Sequence, residues 1–198
     1  MESERIVGEI IRVAAGRCDA HLAQIQDPQT VETDIASAVW EIGRVVGAEI
    51  AALVPAGDRS LSVVATTTRE SETLGRALSS SLEPSTQASM NFGDARGQDV
   101  FSAPIRDLAL PDTAGRQVGL LVVGKSILAS GCTAVSLANH AASTLHPNRL
   151  VVAALFYSES SLAELADTLP QADIVLVGEP AGLRSDGLLD IGVIPYLT

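Results

Sequence analysis

The stretch that most constrains the fold is Val118-Gly-Leu-Leu-Val-Val123, a run with no polar side chain. It is too short for a buried helix and rich in β-branched residues. It reads as a strand covered on both faces, the situation of a central strand in a parallel sheet. Downstream, the pattern predicts a helix over 133–145, a second apolar strand over 150–156, a helix over 160–168 and a strand over 174–177. Strands alternating with helices at this spacing are βαβ units. The expected fold is therefore α/β, a mainly parallel sheet flanked by helices.

Upstream, the chain reads as a helical cap. Apolar residues at helical spacing predict a helix over 4–25, stopped by Asp27-Pro28. A second helix carries Ile35, Val39, Ile42 and Val46 on one stripe, with Trp40 off it. After the turn Pro55-Ala-Gly-Asp58, 61–65 reads as a strand and 72–80 as a helix. Segments 88–92 and 100–108 read as strands around a polar loop, 93–98. The expectation is one domain over 1–198, with an N-terminal helical part (1–55) and an α/β core (56–198).

Composition narrows the partners. A formal net charge of −11 with no Lys/Arg cluster repels polyanions, so neither nucleic acid nor an anionic membrane surface is an expected partner. No apolar run approaches the roughly 20 residues of a membrane span. The charged start, Met1-Glu-Ser-Glu-Arg, is unlike a signal peptide, and a cytoplasmic location is the expectation. Cys18 and Cys132 lack metal-ligand spacing. With aromatics at 3% of residues, the core has to be built from Ala, Val, Leu and Ile.

The chemistry concentrates between the 118–123 strand and the next helix, in Gly124-Lys-Ser-Ile-Leu-Ala-Ser-Gly-Cys-Thr133. Ala129, Ser130, Gly131, Cys132 and Thr133 combine small side chains, hydroxyls and a helix start. Backbone N–H groups can converge there on an anion, with the helix dipole behind them. The bland alternative is that Ser130 and Thr133 only cap the helix. The segment lies beyond the carboxyl end of a strand, where open α/β sheets bind ligands.

Aligned on the glycine, Leu128-Ala-Ser-Gly-Cys-Thr133 is similar to the phosphate loop of the uracil phosphoribosyltransferases, Leu-Ala-Thr-Gly-Gly-Thr. The likeness extends in both directions. Leu61-Ser-Val-Val-Ala-Thr-Thr-Thr-Arg69 resembles the family's strand and pyrophosphate loop, and His146-Pro-Asn-Arg-Leu-Val-Val-Ala-Ala154 the strand after the phosphate-loop helix. Leu169-Pro-Gln-Ala-Asp-Ile-Val175 and Gly182-Leu-Arg-Ser-Asp-Gly187 resemble later family segments, so order and spacing hold from about 30 to 195. The resemblance implies a phosphoribosyltransferase-like fold, a homodimer and, for a working transferase, phosphoribosyl pyrophosphate (PRPP) with Mg²⁺.

The departures fall on the chemistry. Where the family has an acidic residue that contacts the PRPP ribose, this chain has Lys125, and no carboxylate stands between Gly124 and Thr133. In the pyrophosphate loop Arg69 is kept, but Ala-Gly has become Glu70-Ser71. A like charge there costs about 4 kcal/mol at ~4 Å with an effective dielectric near 20. The family's uracil-reading C-terminal loop stops short at Gly192-Val-Ile-Pro-Tyr-Leu-Thr198, with Tyr196 where a flat ligand would lie.

The first expectation is a phosphoribosyltransferase-fold protein repurposed to bind and transform a small anionic or polar metabolite in specialised metabolism. Arg69, Glu70 and Lys125 are its candidate catalytic residues. Residues 129–133 and Tyr196 form its ligand site, and no metal is assigned. Against this stands a dead pocket in which Lys125 and Glu70 merely pair. A divergent pyrimidine transferase would need a replacement carboxylate such as Asp94, Asp99 or Asp186. A non-catalytic binding or regulatory protein would keep only the fold. His21, His140, His146 and the Ser158-Glu-Ser-Ser161 helix cap read as structural.

Overall fold

In a computed structural model, which describes residues 8–14, 16–92, 105–185 and 187–191, the apolar run is the heart of a seven-stranded sheet. The strands are β1 (Ile10–Arg12), β2 (Ser62–Thr67), β3 (Ser85–Phe92), β4 (Ile105–Ala109), β5 (Leu120–Leu128), β6 (Arg149–Tyr157) and β7 (Asp173–Leu176). Their spatial order is β1-β7-β6-β5-β2-β3-β4. Every pairing is parallel except that of β3 with the edge strand β4. The helices are α1 (Asp19–Gln26), α2 (Glu32–Leu53), α3 (Arg76–Ser80), α4 (Cys132–Leu145) and α5 (Glu159–Thr168).

The chain winds from the middle of this sheet in two directions. From β2 it passes through α3 to β3 on one side. From β5 it passes through α4, β6 and α5 to β7 on the other. Parallel crossovers are right-handed, so opposite directions of travel put their helices on opposite faces. Two apolar layers result. Ile35, Val39, Ile42 and Val46 of α2 and Leu78 of α3 pack with Val64, Leu120, Val122 and Val151. Ala134, Leu137 and Ala141 of α4 and Leu165 of α5 pack with Val63, Leu121, Val123 and Val152. Alternate residues of β5 thus belong to different layers, which is why its sequence is apolar throughout. The expected α2 stripe is fully buried, and Trp40, off it, is half-buried.

Three expectations need correction. The helix expected over 4–25 is instead β1 followed by the short α1, and residues 1–7 lie outside those described. Gly16, at φ 87°, breaks the helical path, and β1 is recruited by β7, with Ile10 opposite Ile174. The helix over 72–80 is a wide π-turn, Ser71–Gly75, running into α3. Most consequentially, Gly124 to Leu128 is not loop: β5 continues to Leu128, in register with β6 as far as Tyr157. Of the strand expected over 100–108, only the part from Ile105 lies among the described residues.

Candidate functional site

The order of strands reverses between β2 and β5, the switch point where open α/β sheets form their ligand crevice. There the two strands part. β2 pairs β5 only from Ser62–Leu120 to Ala65–Val123, whereas β2 stays with β3 to Thr67 and β5 stays with β6 to Leu128. The amides of β5 beyond Val123 therefore lose their neighbour on the β2 side, and a buried amide without a partner is costly.

A side chain fills the gap. After β2 the chain makes a 3-10 turn, Thr68–Glu70, which carries the Glu70 carboxylate back toward β5. Glu70 Oε1 accepts from the backbone N–H of Ser126 at 2.6 Å. Its Oε2 accepts from Lys125 Nζ at 2.8 Å and from Thr67 Oγ1 at 2.5 Å. The pair is well shielded, with side-chain exposures of 12% for Lys125 and 6% for Glu70. Burial opposes ionisation of Glu70, but the charge and hydrogen bond of Lys125, with Thr67 and the Ser126 amide, outweigh it. Its carboxyl is held below the usual range. Gly124, just before Lys125, admits the close contact with α3; a Cβ there would stand 2.7 Å from Leu78 Cδ1.

This arrangement changes what Glu70 means. The repulsion expected from it is compensated internally, because three donors and one positive charge already answer its two oxygens. A carboxylate so occupied, with a depressed pKa, is a poor proton acceptor. Lys125, by contrast, spends one of its three N–H groups on Glu70. Beside it, the Ser126 hydroxyl is fully buried and has no hydrogen-bond partner among the described residues.

The second feature is the loop Ala129-Ser-Gly131, now the whole connection between β5 and α4. Gly131 is the N-cap of α4 at φ 77°, a left-handed conformation that glycine adopts without strain. The loop is held from behind. The Ser158 hydroxyl donates to the Ala129 carbonyl at 2.9 Å, and the Ser161 hydroxyl to the Leu128 carbonyl at 2.7 Å. These two serines also form a reciprocal capping box at the start of α5. Ser130 is exposed, Cys132 and Thr133 are half-buried, and Ser130 Oγ lies 3.1 Å from Cys132 Sγ. Gly131 has no side chain with which to cap the 14-residue α4, and among the described residues no N-cap side-chain bond competes with an anion at that helix end.

The structure thus brings Glu70 and Lys125 together at the switch point and places 129–133 at the end of the same strand. Arg69 lies exposed on the turn that carries Glu70. Tyr196, Asp94, Asp99 and Asp186 lie outside the described residues. Sequence reasoning missed Ser126 and the Thr67 hydroxyl. It also missed Tyr157 at the carboxyl end of β6, whose phenol accepts from Arg12 Nε and donates to the Gly178 carbonyl, each at 3.3 Å. Only the Ser158 cap carried a local signal. A cleft of about 640 Å³ opens at the opposite, amino-terminal edge of the sheet, among Asp58, His146, Arg149 and Asp173. Exposed and half-buried side chains make up most of its lining, and its Arg149 is closed on Asp173 at 2.8 Å. The switch-point crevice has the stronger chemical case.

Comparison with solved structures identifies the architecture. The AQ2163 protein from Aquifex aeolicus superposes with a TM-score of 0.78 at 12% identity, covering 95% of this chain and 97% of that one. Adenine phosphoribosyltransferase from Trypanosoma brucei, in complex with AMP, pyrophosphate and ribose-5-phosphate, matches with a TM-score of 0.55 at 11% identity, over 96% of this chain and 90% of that one. A hypoxanthine-guanine phosphoribosyltransferase from Bacillus anthracis matches with a TM-score of 0.50 at 15% identity, over 74% and 81%. No protein-family model matches the sequence. No curated protein matches it either. At these identities the likeness shows the fold: this is a phosphoribosyltransferase-fold chain, and nothing in it singles out the uracil-specific branch.

That fold carries an implied Mg²⁺, and the described residues do not fit one. Magnesium bound beside a substrate phosphate is held by one or two carboxylates. The carboxylate at the switch point is Glu70, whose oxygens are both occupied and which has an ammonium 2.8 Å away. Among the described residues no cluster of three or more His, Cys, Asp or Glu side chains could hold a metal ion. No described helix is long and apolar enough to cross a membrane.

Proposed function

We propose that this chain is a phosphoribosyltransferase-fold protein repurposed to bind a small, phosphate-bearing or otherwise anionic metabolite in the switch-point crevice, its PRPP-dependent transfer lost. The observation that carries this reading is the well-shielded Glu70–Lys125 pair, 2.8 Å apart, with Lys125 at the position that the sequence resemblance aligns with the family's ribose-contacting acid. The pair gives the crevice a fixed ammonium with donors to spare and removes Glu70, the switch-point carboxylate among the described residues, from acid–base or metal chemistry. At the far end of β5, Ser130, Gly131 and Thr133 with the first amides of α4 supply the anion-binding end of the site. In this arrangement Lys125 meets the ligand and Glu70 positions Lys125.

The test is a pair of measurements on the purified chain. A panel of phosphate monoesters and dicarboxylates is titrated by calorimetry, and pyrophosphate release from PRPP is assayed with pyrimidine and purine bases in the presence of Mg²⁺. Binding of a monoester that is lost on Ser130→Ala/Thr133→Ala, without pyrophosphate release, supports the reading. Base-dependent consumption of PRPP would return the chain to the working transferases. Silence in both assays would leave the fold without this site.

A further inference from the structure

We infer that the crevice takes its ligand as the free, metal-uncomplexed anion, Lys125 supplying the positive charge that a divalent cation supplies in a transferase. The inference rests on the reading just given and specifies the ionic form in which the ligand arrives. Three features at the switch point carry it.

First, the residue at this position is a lysine, whose ammonium shares its charge with Glu70. A Mg²⁺–phosphate complex brought there would set its cation against the Lys125 ammonium, whereas a bare phosphate would be attracted to it. Second, the local carboxylate cannot turn toward a metal without abandoning its partners. Glu70 would have to give up the Ser126 amide at 2.6 Å, the Thr67 hydroxyl at 2.5 Å and the Lys125 ammonium at 2.8 Å. That would leave a buried amide and a largely shielded ammonium unpaired. Third, the donors that remain unsatisfied are of the kind an anion uses. Lys125 has two N–H groups beyond its bond to Glu70. Ala129 lies four positions beyond Lys125, about 13 Å at the usual strand rise per residue. A small sugar phosphate, with its phosphate at the α4 end and its hydroxyls toward Lys125, suits a crevice of that reach.

The experiment is a calorimetric titration with ribose 5-phosphate as the probe, first in excess EDTA and then with Mg²⁺ in excess over the probe. The expected result is binding in EDTA that Mg²⁺ leaves unchanged or weakens. Binding seen only with Mg²⁺ would overturn the inference while leaving the anion-binding site standing. Binding in neither condition would overturn the site itself, and the inference with it. The contribution of Lys125 is read from the charge-balanced variant Lys125→Met/Glu70→Gln, which removes the ammonium without leaving a bare carboxylate. It should lose roughly tenfold or more in affinity in EDTA, the scale of a charged hydrogen bond. Wild-type affinity in that variant would remove Lys125 from the proposal. The metal dependence of the unaltered protein decides the main point even if the variant fails to fold.

Discussion

The carboxylate of Glu70 does for β5 what a neighbouring strand would otherwise do: it accepts the backbone N–H of Ser126 at 2.6 Å, just past the point where β2 has turned away. The same carboxylate balances the charge of Lys125 on the adjacent residue. A side chain thereby closes the sheet at its switch point and fixes an ammonium in the crevice. One residue joins the stability of the fold to the electrostatics of its candidate site.

Removing one member of this pair is expected to be costly. Lys125→Ala leaves a buried carboxylate without its counter-charge and should lower unfolding free energy by about 3–5 kcal/mol. Lys125→Met/Glu70→Gln should cost less than the sum of the two single changes. Urea denaturation of the four proteins forms the cycle, and additivity within error would mean that the two residues do not interact.

The pair also predicts an acid-side loss of stability. Glu70 is held below the usual carboxylate range by partners that outweigh the effect of burial, so its folded value lies below its unfolded one. The stabilisation is complete above the ordinary glutamate range, about pH 4.3 in the unfolded chain, and fades as pH falls toward the folded value. Thermal melts from pH 7 down to pH 3 should show Glu70→Gln losing less stability than the wild type over that interval. Parallel curves would show that Glu70 is not the group responsible.

Gly131 should resist substitution. Its φ of 77° lies in the left-handed region, and an added Cβ would approach the Ser161 carbonyl oxygen at 3.4 Å. Gly131→Ala is expected to cost about 1–2 kcal/mol, with Asn better tolerated than Ala because its side chain adapts to that conformation. Melting temperatures of the two variants give the order, and a harmless Ala would argue against a fixed loop geometry.

Ser158→Ala should act at two places. It removes the helix cap, worth about 1 kcal/mol, and frees the Ala129 carbonyl that the hydroxyl holds at 2.9 Å. The expected result is a modest drop in stability together with weaker binding of ribose 5-phosphate, although Ser158 belongs to α5 and not to the ligand loop. Unchanged binding beside reduced stability would confine Ser158 to its capping role.

Much of this was legible in the residues. The apolar run around Leu121 and the periodicities that follow it required a parallel sheet with crossover helices, because a strand buried on both faces has no polar positions to spare. The helical spacing of Ile35, Val39, Ile42 and Val46 likewise fixed the buried face of α2. The loop at 129–133 announced itself through small residues and hydroxyls before a helix. What local pattern could not supply was every feature that depends on a partner distant in the chain. Residues 10–12 are too short a run for their β-branched pair, Ile10-Ile11, to declare a strand, and they become β1 where β7, more than 160 positions away, offers its edge. Gly124 to Leu128 reads as loop, yet β6 holds it as strand. The sequence places Glu70 and Lys125 55 positions apart and leaves open whether they pair; only the parting of β2 from β5 brings them within 2.8 Å. Periodicity is a property of neighbouring residues and survives in the sequence. The meeting of a carboxylate, an ammonium and an unpaired amide is a property of the sheet, and only the folded sheet decides it.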